Sequence, residues 1–200
     1  YLYCNLYLLF SGVGPYDIGL LQLASPLKFN ARVKPIKLAE QGSDPSSNEK
    51  GQIAGWGSIS PTRNPEYPDK LQHVKIVYVD RATCHKAVMN LVGSSPVHET
   101  NVCSGPMTGG ISACNVSSKR SLVTDCSFII ILIRQFNVLI PYFSLLGDSG
   151  PLISVRLGEE PELTGIVSWS IIPCGTKGAP SVYTRVSVFI DWINQRTGNY

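Results

Sequence analysis

Charge is scarce in this 200-residue chain: Asp, Glu, Lys and Arg make up only 16% of it and balance to +3. No basic cluster exceeds the pair Lys119-Arg120, so the footprint that nucleic acid or an anionic membrane surface requires is missing, and neither is expected as a partner. The six cysteines, Cys4, Cys84, Cys103, Cys114, Cys126 and Cys174, include no C-x-x-C pair and no short zinc-type spacing. No metal and no cofactor are therefore expected. An uninterrupted transmembrane run is missing too, because the most apolar stretch, FIIILIRQFNVLIPYFSLL at 128–146, is broken by Arg134, Gln135, Asn137 and Pro141. The opening YLYCNLYLLF has no basic head and no small-residue cleavage site, which makes it a poor signal peptide. The first residue is Tyr, not Met, so the true start of the chain is expected to lie upstream. Histidine is the rarest of the usual proton carriers: His73, His85 and His98 are the only three.

What is present is ordinary for a globular protein: 44% hydrophobic residues in a chain long enough for one large domain or two small lobes. Short strand-like pieces recur, DIGLLQL, GQIAGWGSI, LQHVKIVYV, PLISVRL and LTGIVSW, with Gly and Pro between them. A second short apolar segment spans 33–38. Residues 39–50 (AEQGSDPSSNEK) read as an exposed linker between lobes. The C-terminal SVFIDWINQR spaces Val188, Phe189, Trp192 and Ile193 as a helix does. An all-β barrel or sandwich is favoured over βαβ units. The even cysteine count leans towards disulfides and an oxidising compartment, with buried free thiols the open alternative on count alone.

The stretch LLGDSGPLIS places Ser149 in a glycine-flanked turn between apolar runs. A serine hydroxyl needs a base and oxyanion donors to act as a nucleophile, and an ordinary tight turn has the same composition. The G-x-S-x-G elbow of α/β-hydrolases does not apply, since Pro151 occupies its last position.

Four stretches in order, PYDIGLLQL around Asp17, IAGWGSI around Trp56, GDSGPL around Ser149 and GIVSW followed by Cys174 and APSVYTRV, resemble the chymotrypsin/trypsin family of serine proteases. The resemblance covers 13–115 and 147–200. It implies a chymotrypsin-like double Greek-key β-barrel, an all-β fold with a C-terminal α-helix, in which most of the first barrel is missing. Residues 1–200 then form one peptidase S1 domain: 13–38 the remnant of the first barrel, and 49–200 the second barrel. The activity implied is endopeptidase, by acyl transfer from a peptide carbonyl to Ser149, on protein or peptide substrates, by a secreted monomer.

By the same resemblance Asp17 is the buried carboxylate that orients the catalytic imidazole, and Gly147 and Ser149 supply the oxyanion N–H groups. Asp148 is the acceptor of the new N-terminal amine when a zymogen is cut. Ser168, Trp169 and Ser170 contact substrate, Ser168 also hydrogen-bonding near the carboxylate. Ser112 matches the base of the primary pocket, where trypsin-like members carry Asp, and Ser170 and Ser181 stand where wide pockets have glycine. A small or medium apolar residue is therefore the expected side chain at the cleaved position. Cys84–Cys103 and Cys114–Cys174 are the implied disulfides, with Cys4 and Cys126 unpaired.

Two departures from the family matter. Its catalytic histidine stands well before the aspartate, and residues 1–16 contain none; all three histidines follow Asp17 and read as structural or exposed. The family also has two glycines after the serine, and here Gly150 alone precedes Pro151. The chain as written is thus expected to be inactive. A non-catalytic homologue that binds a protein partner, or a gene-model fragment, are the alternatives. The segment 116–146 lies outside the resemblance and has neither clean alternation nor a capped helical face. Val116-Ser117 reads as an in-frame splice donor would, so the segment is expected to be translated intron. Its rival is a genuine membrane- or partner-binding loop with a glycan sequon at Asn115-Val116-Ser117.

Overall fold

The computed structural model of the chain describes residues 14–22, 28–31, 33–55, 66, 68–113, 130–133, 136–141, 151–154 and 160–198. For 21–22, 130–133, 136–141 and 151–154 it describes the backbone alone. The elements run β1 (Leu20–Gln22), β2 (Lys37–Leu38), β3 (Lys50–Gly55), β4 (Gln72–Val79), α1 (Arg81–Val92) and β5 (Asn101–Ser104). They continue with β6 (Ile130–Ile133), β7 (Phe136–Pro141), β8 (Pro151–Ser154), β9 (Glu162–Ser170) and β10 (Ser181–Arg185). A 3₁₀ turn (Val186–Phe189) and α2 (Ile190–Thr197) end the chain.

Strand pairing sets where the core lies. β3 pairs antiparallel with β4, β4 with β5, β5 with β10, β10 with β9, β9 with β8, and β8 again with β3. The six strands therefore close into a ring in which each pairs with the two beside it. β4 shows the half-buried alternation expected of such a wall, with Ile76 and Tyr78 inside and Val77 exposed. β9 is buried along eight of its nine residues, and its Leu163, Ile166 and Val167 share one core cluster with Leu20, Leu38 and Ile193. Ile18, Leu20, Tyr78, Leu163, Ile166, Tyr183 and Val186 fill the interior. Phe189 and Ile193, one helical turn apart, bring α2 onto it.

α1 is absent from the periodicity of the sequence, and its ends explain why it forms. Asp80 caps it by accepting the Thr83 N–H at 2.8 Å, and Gly93 closes it at φ 79° with its N–H on the Met89 carbonyl. Only Cys84 and Val88 are buried on it, and the Cys84–Cys103 disulfide staples it to β5. Around that staple lies a second apolar cluster with Val88, Trp169 and Val182.

Two expectations about connecting segments are altered. Residues 39–50 are mostly exposed, yet they are tied to the ring: the Asp44 carboxylate accepts Arg81 at 2.5 Å and Arg185 at 2.7 Å. Within 116–146, β6 and β7 form an antiparallel hairpin, and β6 pairs parallel with β1, Leu20 opposite Ile130. This three-stranded sheet is separate from the ring, so none of the ring's pairings uses that segment.

Candidate active site

Asp17 sits just before β1 and is only 7% exposed. Ser168 Oγ donates to its Oδ2 at 2.7 Å. The aim of that serine follows from a register shift. Ser170 faces Ser181 and Trp169 faces Val182, but the next pair joins Val167 to Tyr183. Ser168 is thus the extra residue of a β-bulge, and a bulge re-aims its side chain out of the ordinary alternation. Burial drives the Asp17 carboxyl from 3.8 up to about 7, because its charged form loses water, and the Ser168 hydrogen bond only partly opposes this.

Two further hydroxyls hold the same turn, and neither was legible as functional in the sequence. Thr184 Oγ1 donates to the Asp17 carbonyl at 2.7 Å, and Thr100 Oγ1 donates to the Pro15 carbonyl. Their signal is tertiary: these residues lie 167 and 85 positions from their acceptors.

The three histidines lie elsewhere. His73 is exposed on β4, His85 is exposed on α1, and His98 is exposed before β5, with Nδ1 3.2 Å from Thr100 Oγ1. No described hydrogen bond joins any of them to Asp17.

The residues assigned to the primary pocket do meet. Ser112 Oγ lies 3.2 Å from Ser181 Oγ, which also accepts the Ala113 N–H at 2.9 Å. Ser170 is the cross-strand partner of Ser181. The two walls are held by Gly110 N–H on the Gly175 carbonyl at 2.9 Å and Gly178 N–H on the Met107 carbonyl at 2.8 Å. A methyl on Gly109 would come 2.7 Å from the Gly175 carbonyl, so that approach requires glycine. Cys174, on the second wall, is in a disulfide. The Trp169 side chain is 8% exposed and committed to the cluster around the other disulfide. Beyond Ile166, where β8 stops, the edge of β9 turned away from β10 carries no strand among the described residues.

Gly147, Asp148, Ser149 and Cys114 lie outside the described residues, as do Cys4, Cys126 and Trp56. β8 begins at Pro151, two residues after Ser149, and Pro151 faces Ile166 of β9, two residues before Ser168. Among the described residues no group of His, Cys, Asp and Glu could hold a metal ion, and no helix is long and apolar enough to cross a membrane.

Comparison with known proteins places this arrangement. The trypsin family model matches residues 8–118 and 145–193. The chain is 30% identical over 181 residues to the glandular kallikrein of Sus scrofa, covering 90% of this chain and 56% of that protein. It is 31% identical over 177 residues to Trypsin-1 of Astacus astacus, covering 88% and 58%. Identity to a snake venom serine protease homolog of Bothrops jararacussu is 31% over 178 residues, covering 88% and 52%. The chain therefore spans little more than half the length of these relatives. With a matched segment on each side of 119–144, and with both Asp17 and Ser149 inside the matches, the chain belongs to the trypsin family of serine proteases.

Proposed function

We propose that this chain carries the serine and the aspartate of an extracellular endopeptidase, with Ser149 as nucleophile and Asp17 as the carboxylate that orients the base. The observation that carries the reading is the buried Asp17–Ser168 pair, on the strand that β8 joins two residues before Ser168. Ser149 precedes Pro151 by two residues in the chain, and Pro151 faces β9 two residues from Ser168. The N–H groups of Gly147 and Ser149 hold the oxyanion, and Asp148 receives the amine of a cleaved N-terminus. The edge of β9 from Val167 to Ser170 that carries no strand among the described residues takes the substrate as one more strand, backbone to backbone. Venom and glandular proteins among the relatives support the extracellular setting.

The fold that family membership implies is chymotrypsin-like. In this reading the six-stranded ring is its second barrel, and 13–38 is what the chain holds of the first. The base comes from a histidine ahead of Asp17, in a form longer than these residues.

Serine hydroxyls at 112, 170 and 181 give the primary pocket no charge to pair with Arg or Lys, and burying such a cation unpaired is costly. An extended form that includes a histidine before Asp17 will cleave after small or medium apolar residues in a peptide library. It will lose that activity on Ser149→Ala. Preferred cleavage after Arg or Lys would reject the pocket assignment, and activity that survives Ser149→Ala would reject the nucleophile.

Cys114 is the partner we assign to Cys174. Ala113, next in the chain, is bonded to Ser181, and Gly110 is bonded to Gly175, so the two strands of chain already run together there. Non-reducing peptide mapping will recover a 114–174 cross-linked pair beside 84–103. A peptide joining Cys174 to Cys126 or Cys4 would overturn it.

The segment 116–146 is, in this reading, a translated intron. The family match skips 119–144, and among the described residues the ring makes no pairing with the segment. Its deletion will leave the ring's melting temperature unchanged or raised while stripping β1 of its sheet partner. A melt lowered by deletion, or mature transcripts that retain these codons, would show the segment to be part of the protein.

A further inference from the structure

The turn that presents Asp17 is gripped through two hydroxyl groups, those of Thr100 and Thr184, to which the sequence assigns no role. Thr100, in the turn before β5, is 5% exposed and gives its proton to the Pro15 carbonyl. Thr184, on β10, is fully buried and gives its proton to the Asp17 carbonyl at 2.7 Å. Each is the only described donor to its carbonyl. Between those two anchors the chain makes one tight turn, Ile18 N–H on the Tyr16 carbonyl at 2.9 Å, and Tyr16 lies edge-on to Phe189 at 6.3 Å. The carboxylate itself meets Ser168 of β9. Beyond its own residues the turn is thus held by Thr100, Ser168, Thr184 and Phe189. Backbone carbonyls fixed on both sides of a short turn leave the side chain between them little freedom of direction.

We propose that Thr100 and Thr184 are positioning residues for Asp17: their hydroxyls anchor the Pro15 and Asp17 carbonyls to the ring and so fix where the carboxylate points. The catalytic meaning of this rests on the reading of Asp17 given above, whereas the anchoring itself can be measured without catalysis. Valine in place of threonine keeps the side-chain volume and removes the donor, leaving a buried carbonyl unpaired. Serine keeps the donor. The titratable group beside Thr100 is His98, Nδ1 3.2 Å from the hydroxyl. Against Asp17 the described residues place no charged side chain.

The test compares the 200-residue chain with Thr100→Val/Thr184→Val and with Thr100→Ser/Thr184→Ser. Hydrogen exchange is read over 14–20 and over β4 and β5, and the Asp17 carboxyl is titrated by carbon-13 NMR. In the valine pair, exchange over 14–20 quickens by about ten-fold or more while β4 and β5 keep their protection. The Asp17 carboxyl, now reached by water, titrates lower than in the parent. The serine pair behaves as the parent does. The proposal fails if either readout is unmoved in the valine pair, if the faster exchange spreads equally through the ring, or if the parent Asp17 already titrates as an ordinary carboxyl. Should the double valine variant not fold, Thr100→Val alone carries the same readings, because Thr100 lies in a turn outside the strands. A histidine-bearing form whose turnover ignores Asp17→Asn would remove the catalytic reading and leave the anchoring intact.

Discussion

A fluorophosphonate probe will leave Ser149 of the 200-residue chain unlabelled under conditions in which an activated serine is labelled stoichiometrically. The hydroxyl is a poor nucleophile until a base takes its proton, and removing the base of a serine triad costs on the order of 10⁶ in kcat. What survives, about 10³–10⁴ over water, comes from the oxyanion hole and binding, and is far below what a probe assay detects. None of the three histidines present is described beside Asp17. All are exposed, on β4, on α1 and in the turn before β5, and no described hydrogen bond joins any of them to Asp17. Chain order within one fold is set by topology, so a histidine that follows Asp17 cannot simply take the place of one that precedes it. The same probe on an extended form with an upstream histidine will label Ser149, and Ser149→Ala will abolish that label. Stoichiometric labelling of the 200-residue chain itself would show that a group outside this argument takes the proton.

What the sequence revealed of this molecule depended on how local each determinant is. The alternation in LQHVKIVYV and the spacing of Phe189 and Ile193 each follow from a single element meeting a single core, and both were readable. α1 escaped because only Cys84 and Val88 of its twelve residues are buried, so its apolar stripe is nearly blank. Its readable marks were the ends, Asp80 and Gly93. β5 has no alternation to read, all four residues being buried between β4 and β10. The linker at 39–50 looked free because its restraints, among them Asp44 between Arg81 and Arg185 and the Gly42 N–H on the Ser187 carbonyl, join residues far apart in sequence. At the site, Asp17 and Ser168 were paired from motif resemblance, but the bulge that turns Ser168 towards the carboxylate is a property of two strands in register. The hairpin of β6 and β7 against β1 is likewise a pairing that an unpatterned apolar run does not announce.

The Asp17→Asn variant will become progressively more stable than the parent as pH rises from about 4 to 8. The sign follows from where the proton resides. Folding raises the Asp17 carboxyl from 3.8 to about 7, through loss of water around the charge, so between those values the folded chain holds a proton that the unfolded chain has released. Stability therefore falls with rising pH across that window. The contribution is fully present below about 4 and lost once pH passes about 7. The span corresponds to about 4 kcal/mol at most, by the usual 1.36 kcal/mol per pH unit. Asparagine carries no charge at any pH in this range and its amide oxygen can still accept from Ser168, so the variant escapes the penalty. Chemical denaturation of both proteins at several pH values isolates the effect, because every other carboxyl titrates in both and cancels in the difference. A difference that stays flat from pH 4 to 8 would show that Asp17 is not desolvated in the folded chain. In a form that brings an imidazolium against Asp17, the opposing charge pulls the carboxyl back down, and the same comparison will show a smaller slope. The buried acid is a cost to this chain above pH 7, and a catalytic histidine is the group whose charge would offset it.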